Sequence, residues 1–569
     1  MELSGIADAD NIDIVVLGAG AAGMATALFA SLAGLSPLVV ERTEFVGGST
    51  AYSAGSAWIP NTRHAQGAGD SVERAATYLR NVIGNGSSEA MRRAFLEAGP
   101  AAVDLLEDKT DVHFRARPLH PDYETDVEGS TLWGRVLEAK PVSGRELGPL
   151  LALVRPPIPE FTILGGLMVN QTDVGHLLNM HRSPASLLHA ARILGGHVRD
   201  LLFYRRSMRL MMGNALAARL LLSLAKRNVA ILTRTEVVEI EAGGAVRLRQ
   251  GATERRIAAK RAVVLATGGL GRHPAFRETL YPPGVTGYNA GAPGHTGAAH
   301  DLALAIGARH GSSGGDAGFW TPMSVKPRPD GSTAVFSHFL LDRGKPGVIA
   351  VSQEGRRFVN ENVSYHRFVQ GMLAVDDPRK VSPAFLIADE RALRSYGLGM
   401  VRPGRSGREA FQRDGYLVSA PTLEALAGQL GIDATALAET VARFNRFAEN
   451  GRDEDFGRGE TDYQRITTGD PNHKPHPALA PLVEPPFHAV RIYPGEIGTS
   501  KGLVTDVDGR LLNVSGQPIA GLYACGNDMQ SVMGGQYPGP GINLGPAIVF
   551  AYRVVEHIRG ASGGQPQAV

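Results

Sequence analysis

The sequence predicts an α/β protein in which a Rossmann-like dinucleotide-binding domain, split along the chain, carries an inserted α+β substrate domain. Three observations predict it. An apolar strand near the start runs straight into a glycine-rich turn and a small-residue helix; two further apolar strands far downstream also end in glycine; and a long stretch of mixed helical and strand patterns lies between them. The 569 residues, 43% hydrophobic and 20% charged, can bury a sizeable ordered core. The formal charge of +2 excludes the basic excess of a dedicated nucleic-acid binder.

Residues 12–17 are β-branched and mostly apolar, the pattern of a buried parallel strand, and lead into Gly18-Ala19-Gly20-Ala21-Ala22-Gly23. A helix follows over 24–33. A second strand over 36–40 ends at Glu41, 23 residues past Gly18, placed to accept hydrogen bonds from ribose hydroxyls. Gly18 permits the tight turn, Gly20 lets the backbone approach a pyrophosphate, and Gly23 allows close helix–strand packing, while the helix N-terminus stabilises phosphate charge. Gly18, Gly20, Ala22, Gly23 and Glu41 are the first predicted cofactor ligands.

The next segment selects FAD over a nicotinamide cofactor. Arg42 is followed by the small-residue stretch 47–55, with Gly48, Ser49, Thr50, Ser53, Ala54 and Gly55, which can lie along an extended cofactor. Strand 261–269 closes on Ala266, Thr267 and Gly268, and strand 521–528 on Gly526, Asn527 and Asp528; Val238, Asn543 and Leu544 complete the predicted set. These segments resemble, in order and spacing, the FAD-binding elements of the flavoprotein superfamily that includes fumarate reductases and 3-ketosteroid dehydrogenases. The resemblance covers nearly the whole chain. Non-covalent FAD is expected, because the early glycine loop has no histidine.

The predicted organisation is an N-terminal part of the FAD-binding domain over 11–285, a substrate and catalytic domain over 286–485, the returning C-terminal part over 486–558, and a disordered tail over 559–569. Within the first part, 186–227 is helical by pattern and rich in arginine, with Asp200 its only acid. Two readings stand: a helical insertion with a solvated basic face, or a peripheral membrane contact that draws an apolar substrate from lipid.

The chemistry concentrates in Tyr537-Pro538-Gly539-Pro540-Gly541, which precedes a helix running to about His557. Backbone N–H groups over 541–545 suit the negative charge that reduced flavin develops, and a phenol O–H beside a backbone N–H makes an oxyanion hole for a ketone becoming an enolate. The motif resembles that of 3-ketosteroid Δ1-dehydrogenases. The resemblance implies that Tyr537 and Gly541 hold the 3-keto oxygen, that Tyr365, after Arg357-Phe358-Val359-Asn360-Glu361, is the general base, and that Tyr123, after His120-Pro121-Asp122, is its helper. Ser364 stands where the family often has proline. A tyrosine base requires a pKa lowered by Tyr123 or by a cationic neighbour. The implied reaction takes a proton from C2 and a hydride from C1 to flavin N5, and an external quinone or dye-like acceptor would reoxidise the flavin.

Dehydrogenation of a smaller ketone such as 4-oxocyclohexane carboxylate, marked by an arginine in the pocket, stays open, as does Δ4-(5α)-dehydrogenation. Fumarate reduction is disfavoured because Glu496 occupies the place of a histidine in those relatives. Tyr493 is read as part of a flavin-contacting turn over 493–502. An FAD-binding protein without catalysis is the non-enzymatic alternative. No metal site is expected, since clustered Cys/His spacings are absent. One cysteine and no visible secretory signal point to a cytoplasmic enzyme, membrane-associated if the basic block touches lipid.

Overall fold

The computed structural model describes residues 2–5, 11–181, 183–285, 287–312 and 314–561. Its first sheet grows from strand Ile14–Leu17, buried on both faces, and runs Arg510–Leu512, Pro518–Ala524, Ala262–Leu265, Ile14–Leu17, Pro37–Val40, Ala230–Leu232. Ile14 stands opposite both Pro37 and Ala262 in parallel register, and only the Arg510–Leu512 edge is antiparallel. A strand from the last tenth of the chain therefore lies beside one from its middle. Helix Ala21–Leu32 packs against both Leu544–Gly560 and Met212–Lys226. Its ten buried residues, from Ala21 to Ala30, are mostly alanine and glycine, which lets the backbones approach.

The second sheet is antiparallel, in the order Thr333–Ser337, Gly318–Pro327, Phe487–Thr499, Ala384–Ala388, Val348–Val351, with Leu417–Ala420 also paired to Phe487–Thr499. Alternate side chains of Val348–Val351 and Ala384–Ala388 enter two separate apolar clusters, the period-two rule of a sheet covered on both faces. Helix Tyr365–Leu373 packs against Gly318–Pro327, and Ser364 caps it by accepting from the N–H of Arg367 at 3.3 Å. That cap is the local reason a serine serves where proline was the expected residue.

Two expectations are corrected. Segment 493–502 is mostly strand rather than turn: strand Phe487–Thr499 runs on to Thr499, because Gly495 and Gly498 admit the close approach of the neighbouring Met323 and Asn527 side chains. The block 186–227 is not one solvated basic element. Helix Pro184–Tyr204 ends at Arg205 with φ 58°, and helix Met212–Lys226 then enters the core. Arg219 donates to the carbonyls of Asp111, Lys140 and Pro141. What Pro184–Tyr204 exposes is largely apolar, with Leu188 73%, Leu202 75% and Phe203 75% accessible. At the C-terminus, helix Leu544–Gly560 includes the first two residues of the expected tail, and 562–569 lie outside the described residues.

Candidate active site

The glycine turn is closed by contact. A Cβ on Gly18 would strike the Ala266 carbonyl and one on Gly23 the Gly18 carbonyl, whereas one on Gly20 would meet nothing within 4 Å. Gly18 and Gly23 thus make the turn, and Gly20 opens it at the N-terminus of helix Ala21–Leu32. Glu41 accepts from the Ala19 N–H at 3.0 Å and the Thr43 N–H at 2.8 Å. Thr50 accepts from the Ala21 N–H at 3.0 Å, and Gly48 lies against Gly20. Ser49 accepts from the Ala292 N–H at 2.7 Å and faces His295 at 3.2 Å. Ser53 donates to the Thr50 carbonyl and receives the Gly55 N–H, while Ala54 is exposed. Arg42 donates to Thr296 and Val238 sits half-buried in strand Glu236–Glu241.

The downstream segments converge on the same turn. A Cβ on Gly526 would lie 2.9 Å from Ala22, and one on Gly268 2.5 Å from His295. Asp528, fully buried, accepts from the Thr267 and Gly269 N–H groups, the Thr267 hydroxyl at 2.9 Å and His300 at 3.0 Å. Its carboxylate shapes the loop after Ala262–Leu265. A pocket beside Gly526 is lined by Asn527, Val532, Ile542 and Asn543, and the buried Asn543 Oδ1 there has no protein partner. Asn543 and Leu544 begin helix Leu544–Gly560. An open glycine at a helix N-terminus, small residues along 47–55 and an unpartnered amide oxygen fit FAD, which these residues would hold.

Beside this cradle the predicted tyrosines meet. Ring centroids are 4.9 Å apart for Tyr365 and Tyr537, 5.6 Å for Tyr123 and Tyr365, and 5.8 Å for Tyr123 and Tyr537. The Tyr365 hydroxyl is electrostatically coupled to those of Tyr123 and Tyr537. Phe339 packs on Tyr365, Phe319 on Tyr537, and Tyr463, which the sequence reading missed, on Tyr123 at 4.8 Å. Tyr493 lies elsewhere, against Tyr288.

Two loops hold the cluster. Gly541 has φ 96°, and a Cβ there would stand 2.5 Å from the Ser56 carbonyl; its own carbonyl accepts from the Trp58 N–H at 3.0 Å. The Tyr123 N–H and the Tyr78 hydroxyl both donate to the Pro538 carbonyl, at 2.9 and 2.6 Å. Asp122 accepts from Trp58 Nε1 at 2.8 Å and from Arg135 at 2.7 Å, and Arg135 also pairs with Asp70 at 2.7 Å. The segment before Tyr365 is anchored by buried charges, with Glu361 between Arg357 at 2.8 Å and Arg458 at 3.0 Å. The unpredicted residues here, Arg135, Arg458 and Tyr463, are far from the motifs in sequence and carry no local pattern.

Burial pushes the Tyr365 hydroxyl well above its ordinary pKa, and the neighbouring Tyr123 and Tyr537 add to the rise. Tyr123 is raised likewise, by burial and then by Tyr463 and Tyr537, against lowering from Tyr365 and Arg343. Tyr537 is pushed up to about 12, which keeps it a neutral donor. The expected lowering of the base is thus outweighed by desolvation. Glu496 is fully buried, raised by desolvation, and accepts from the Tyr281 hydroxyl at 2.7 Å and from the Asn289 amide. Among the described residues no cluster of three His, Cys, Asp or Glu could hold a metal.

A largely parallel sheet fed from both ends of the chain, a glycine turn at its centre and a tyrosine cluster in the same apolar core define a flavoprotein oxidoreductase. Residues 13–544 match the FAD binding domain family, and the chain belongs to it. It is 38% identical over 547 residues, 95% of this chain and 92% of the relative, to 4-oxocyclohex-2-ene-1-carboxylate 5-dehydrogenase of Sinomonas cyclohexanicum. It is 34% identical over 576 residues, 97% of this chain and 99% of the relative, to 3-oxosteroid 1-dehydrogenase of Mycobacterium tuberculosis. It is also similar to the crystal structure of 3-ketosteroid Δ1-dehydrogenase from Sterolibacterium denitrificans in complex with 1,4-androstadiene-3,17-dione, with a TM-score of 0.89, 33% identity, and coverage of 97% of this chain and 100% of that one.

Proposed function

We propose that the protein dehydrogenates the carbon–carbon bond next to a ring ketone, with a 3-ketosteroid, desaturated between C1 and C2, as the substrate class. The observation that carries the reading is the packing of Tyr123, Tyr365 and Tyr537 on one another, with Tyr537 on the same loop as Gly541. FAD, when bound, supplies the hydride acceptor. Tyr537 and the Gly541 N–H donate to the ketone oxygen, which acidifies the adjacent C–H. Tyr365 takes that proton from C2, and Tyr123 holds its hydroxyl oriented. Burial of all three rings, each at most 6% exposed, keeps bulk water from the forming enolate.

The aromatic lining by Phe319 and Phe339 suits an apolar ring system. The second reading, a smaller oxocyclohexane or oxocyclohexene carboxylate, is favoured by the 38% relative. Holoenzyme incubated with a dye acceptor and, separately, 4-androstene-3,17-dione, a 5α-3-ketosteroid or 4-oxocyclohexane carboxylate, and dithionite-reduced holoenzyme given fumarate, test the readings. The expected product is a C1–C2 desaturated steroid. Desaturation of the carboxylate alone transfers the same chemistry to the second reading, and turnover with fumarate alone overturns both.

The reading includes non-covalent FAD, an external quinone or dye-like acceptor, and the division into 11–285, 286–485 and 486–558. No helix among the described residues is long and apolar enough to cross a membrane. The exposed Leu188, Leu202 and Phe203, with Arg192, Arg199 and Arg205 also exposed on the same element, support instead a peripheral contact of helix Pro184–Tyr204 with a lipid surface.

A further inference from the structure

Arg343 is fully buried, and its guanidinium is assigned no part in the chemistry above. It forms none of the ion pairs found among the described residues. Its Nε donates to the His338 carbonyl at 3.1 Å, one terminal nitrogen to the Glu361 carbonyl, and the other to the Val363 carbonyl at 2.5 Å. Glu361 and Val363 lead directly into Tyr365. The guanidinium also lies 5.3 Å over the ring of Phe368, less than one helical turn beyond Tyr365. One planar fork therefore grips the entry to helix Tyr365–Leu373 from both sides.

The grip is itself held. The Asp342 carboxylate accepts the Arg343 N–H at 2.8 Å and pairs with His338 at 2.6 Å, and His338 contacts Ser324 at 2.8 Å, which meets Tyr416 at 2.6 Å. Phe339, between His338 and Arg343, packs on Tyr365. A buried cation without a carboxylate of its own is costly unless an anion forms nearby. Arg343 interacts electrostatically with Tyr463, Asp342, Tyr123 and Tyr365. Asp342 is held by His338 and by the Arg343 and Gly399 N–H groups, and the remaining groups whose ionisation the charge favours are the phenols, Tyr463 first and then Tyr123 and Tyr365.

We propose that Arg343 is the positioning residue of the general base, fixing the turn from which Tyr365 projects and supplying the buried positive charge that favours the Tyr365 phenolate. The proposal rests on the reading of Tyr365 as base. Before turnover the phenol loses its proton to solvent, the phenolate then takes the C2 proton of the ketone, and the phenol is restored; Arg343 stays protonated throughout. The other groups facing the phenols are Tyr123, Tyr463 and Tyr537, with Glu124 paired to Arg367, His366 beside Tyr537, and the Asp122–Arg135 pair behind Tyr123. None of these is an unpaired buried cation.

The test is anaerobic flavin reduction of the holoenzyme from pH 6.5 to 10.5, by 4-androstene-3,17-dione or 4-oxocyclohexane carboxylate, for wild type, Arg343→Gln, Arg343→Lys and Tyr365→Phe. For Arg343→Gln the rise of rate with pH is expected to move one to two units to higher pH, a loss of about 10- to 100-fold at pH 8 with less change in substrate affinity. Arg343→Lys, which keeps the charge and loses the fork, is expected to keep the profile within about half a unit of wild type at a lower plateau. A uniform loss at every pH in Arg343→Gln overturns the proposal. If that variant does not fold, a lysine profile displaced by a full unit or more overturns it. Tyr365→Phe reduced as fast as wild type overturns the base reading and this proposal together; a dead Tyr365→Phe with an unmoved Arg343→Gln profile overturns this proposal alone.

Discussion

Tyr537 and Gly541 each sit where one residue type serves. A methyl group at Gly541 would meet the Ser56 carbonyl and impose a side chain on φ 96°, so Gly541→Ala must shift the loop that carries Tyr537. Tyr537→Phe keeps the packing and deletes the donor; flavin reduction is expected to fall about 10²- to 10³-fold with the melting temperature nearly unchanged, whereas Gly541→Ala is expected to lose both rate and stability. Because burial raises Tyr365 and Tyr123, the wild-type rate should still be climbing at pH 8. A plateau below pH 8 contradicts the assignment of a raised phenol as base. These residues were singled out in the sequence by motifs that resemble those of 3-ketosteroid Δ1-dehydrogenases, and such motifs are local. Arg343 and Tyr463 were not, since their roles come from contacts distant in sequence, as the Arg343 to Val363 bond, 20 positions apart, illustrates.

At the scale of elements, the cluster depends on two loops meeting at Pro538. The Asp122–Arg135–Asp70 network is almost fully buried, and breaking such a network strands charges inside the protein. Arg135→Met is expected to cost about 3–5 kcal/mol in denaturant unfolding and to release the Tyr123 loop. Helix Pro184–Tyr204 makes an independent prediction. Leu202→Ser with Phe203→Ser should abolish sedimentation with phosphatidylcholine/phosphatidylglycerol vesicles and leave turnover of a water-soluble ketone unchanged; wild type that stays in the supernatant refutes lipid contact. Reading 186–227 as one basic element failed because charge was counted without the apolar run Leu220-Leu221-Leu222, whose burial places Met212–Lys226 in the core. Segment 493–502 misled for a related reason: its glycines mark close packing within strand Phe487–Thr499, and composition alone does not separate that from a turn.

The whole molecule joins a parallel sheet fed from both ends of the chain to an antiparallel sheet built from its later half, and the tyrosines sit where the two supply loops. The βαβ unit was readable because its strands are short apolar runs next to diagnostic glycines. The antiparallel order was not, because Phe487–Thr499 pairs with strands 67 to 181 residues away. Cofactor and fold should be separable at one residue. Gly20→Val is expected to give folded, colourless protein that gains no thermal stability from added FAD, since a Cβ there meets nothing in the protein. Acid stability follows from Asp342. Burial raises its carboxyl, but His338 and the Gly399 and Arg343 N–H groups outweigh burial and hold it at about 2. A depressed carboxylate stabilises the fold above its unfolded pKa and loses that contribution as pH falls toward 2, about 2 kcal/mol in all, so Asp342→Asn should flatten acid unfolding between pH 4 and 2.

The central claim is that a ketone held by Tyr537 and Gly541 loses its α-proton to Tyr365. Stopped-flow, anaerobic bleaching of the flavin band by 4-androstene-3,17-dione, compared in wild type, Tyr537→Phe and Tyr365→Phe, tests it most directly. Rapid bleaching in wild type and a loss of at least about 100-fold in both variants, with FAD still bound, is the expected result. Bleaching at the wild-type rate in either variant contradicts the claim.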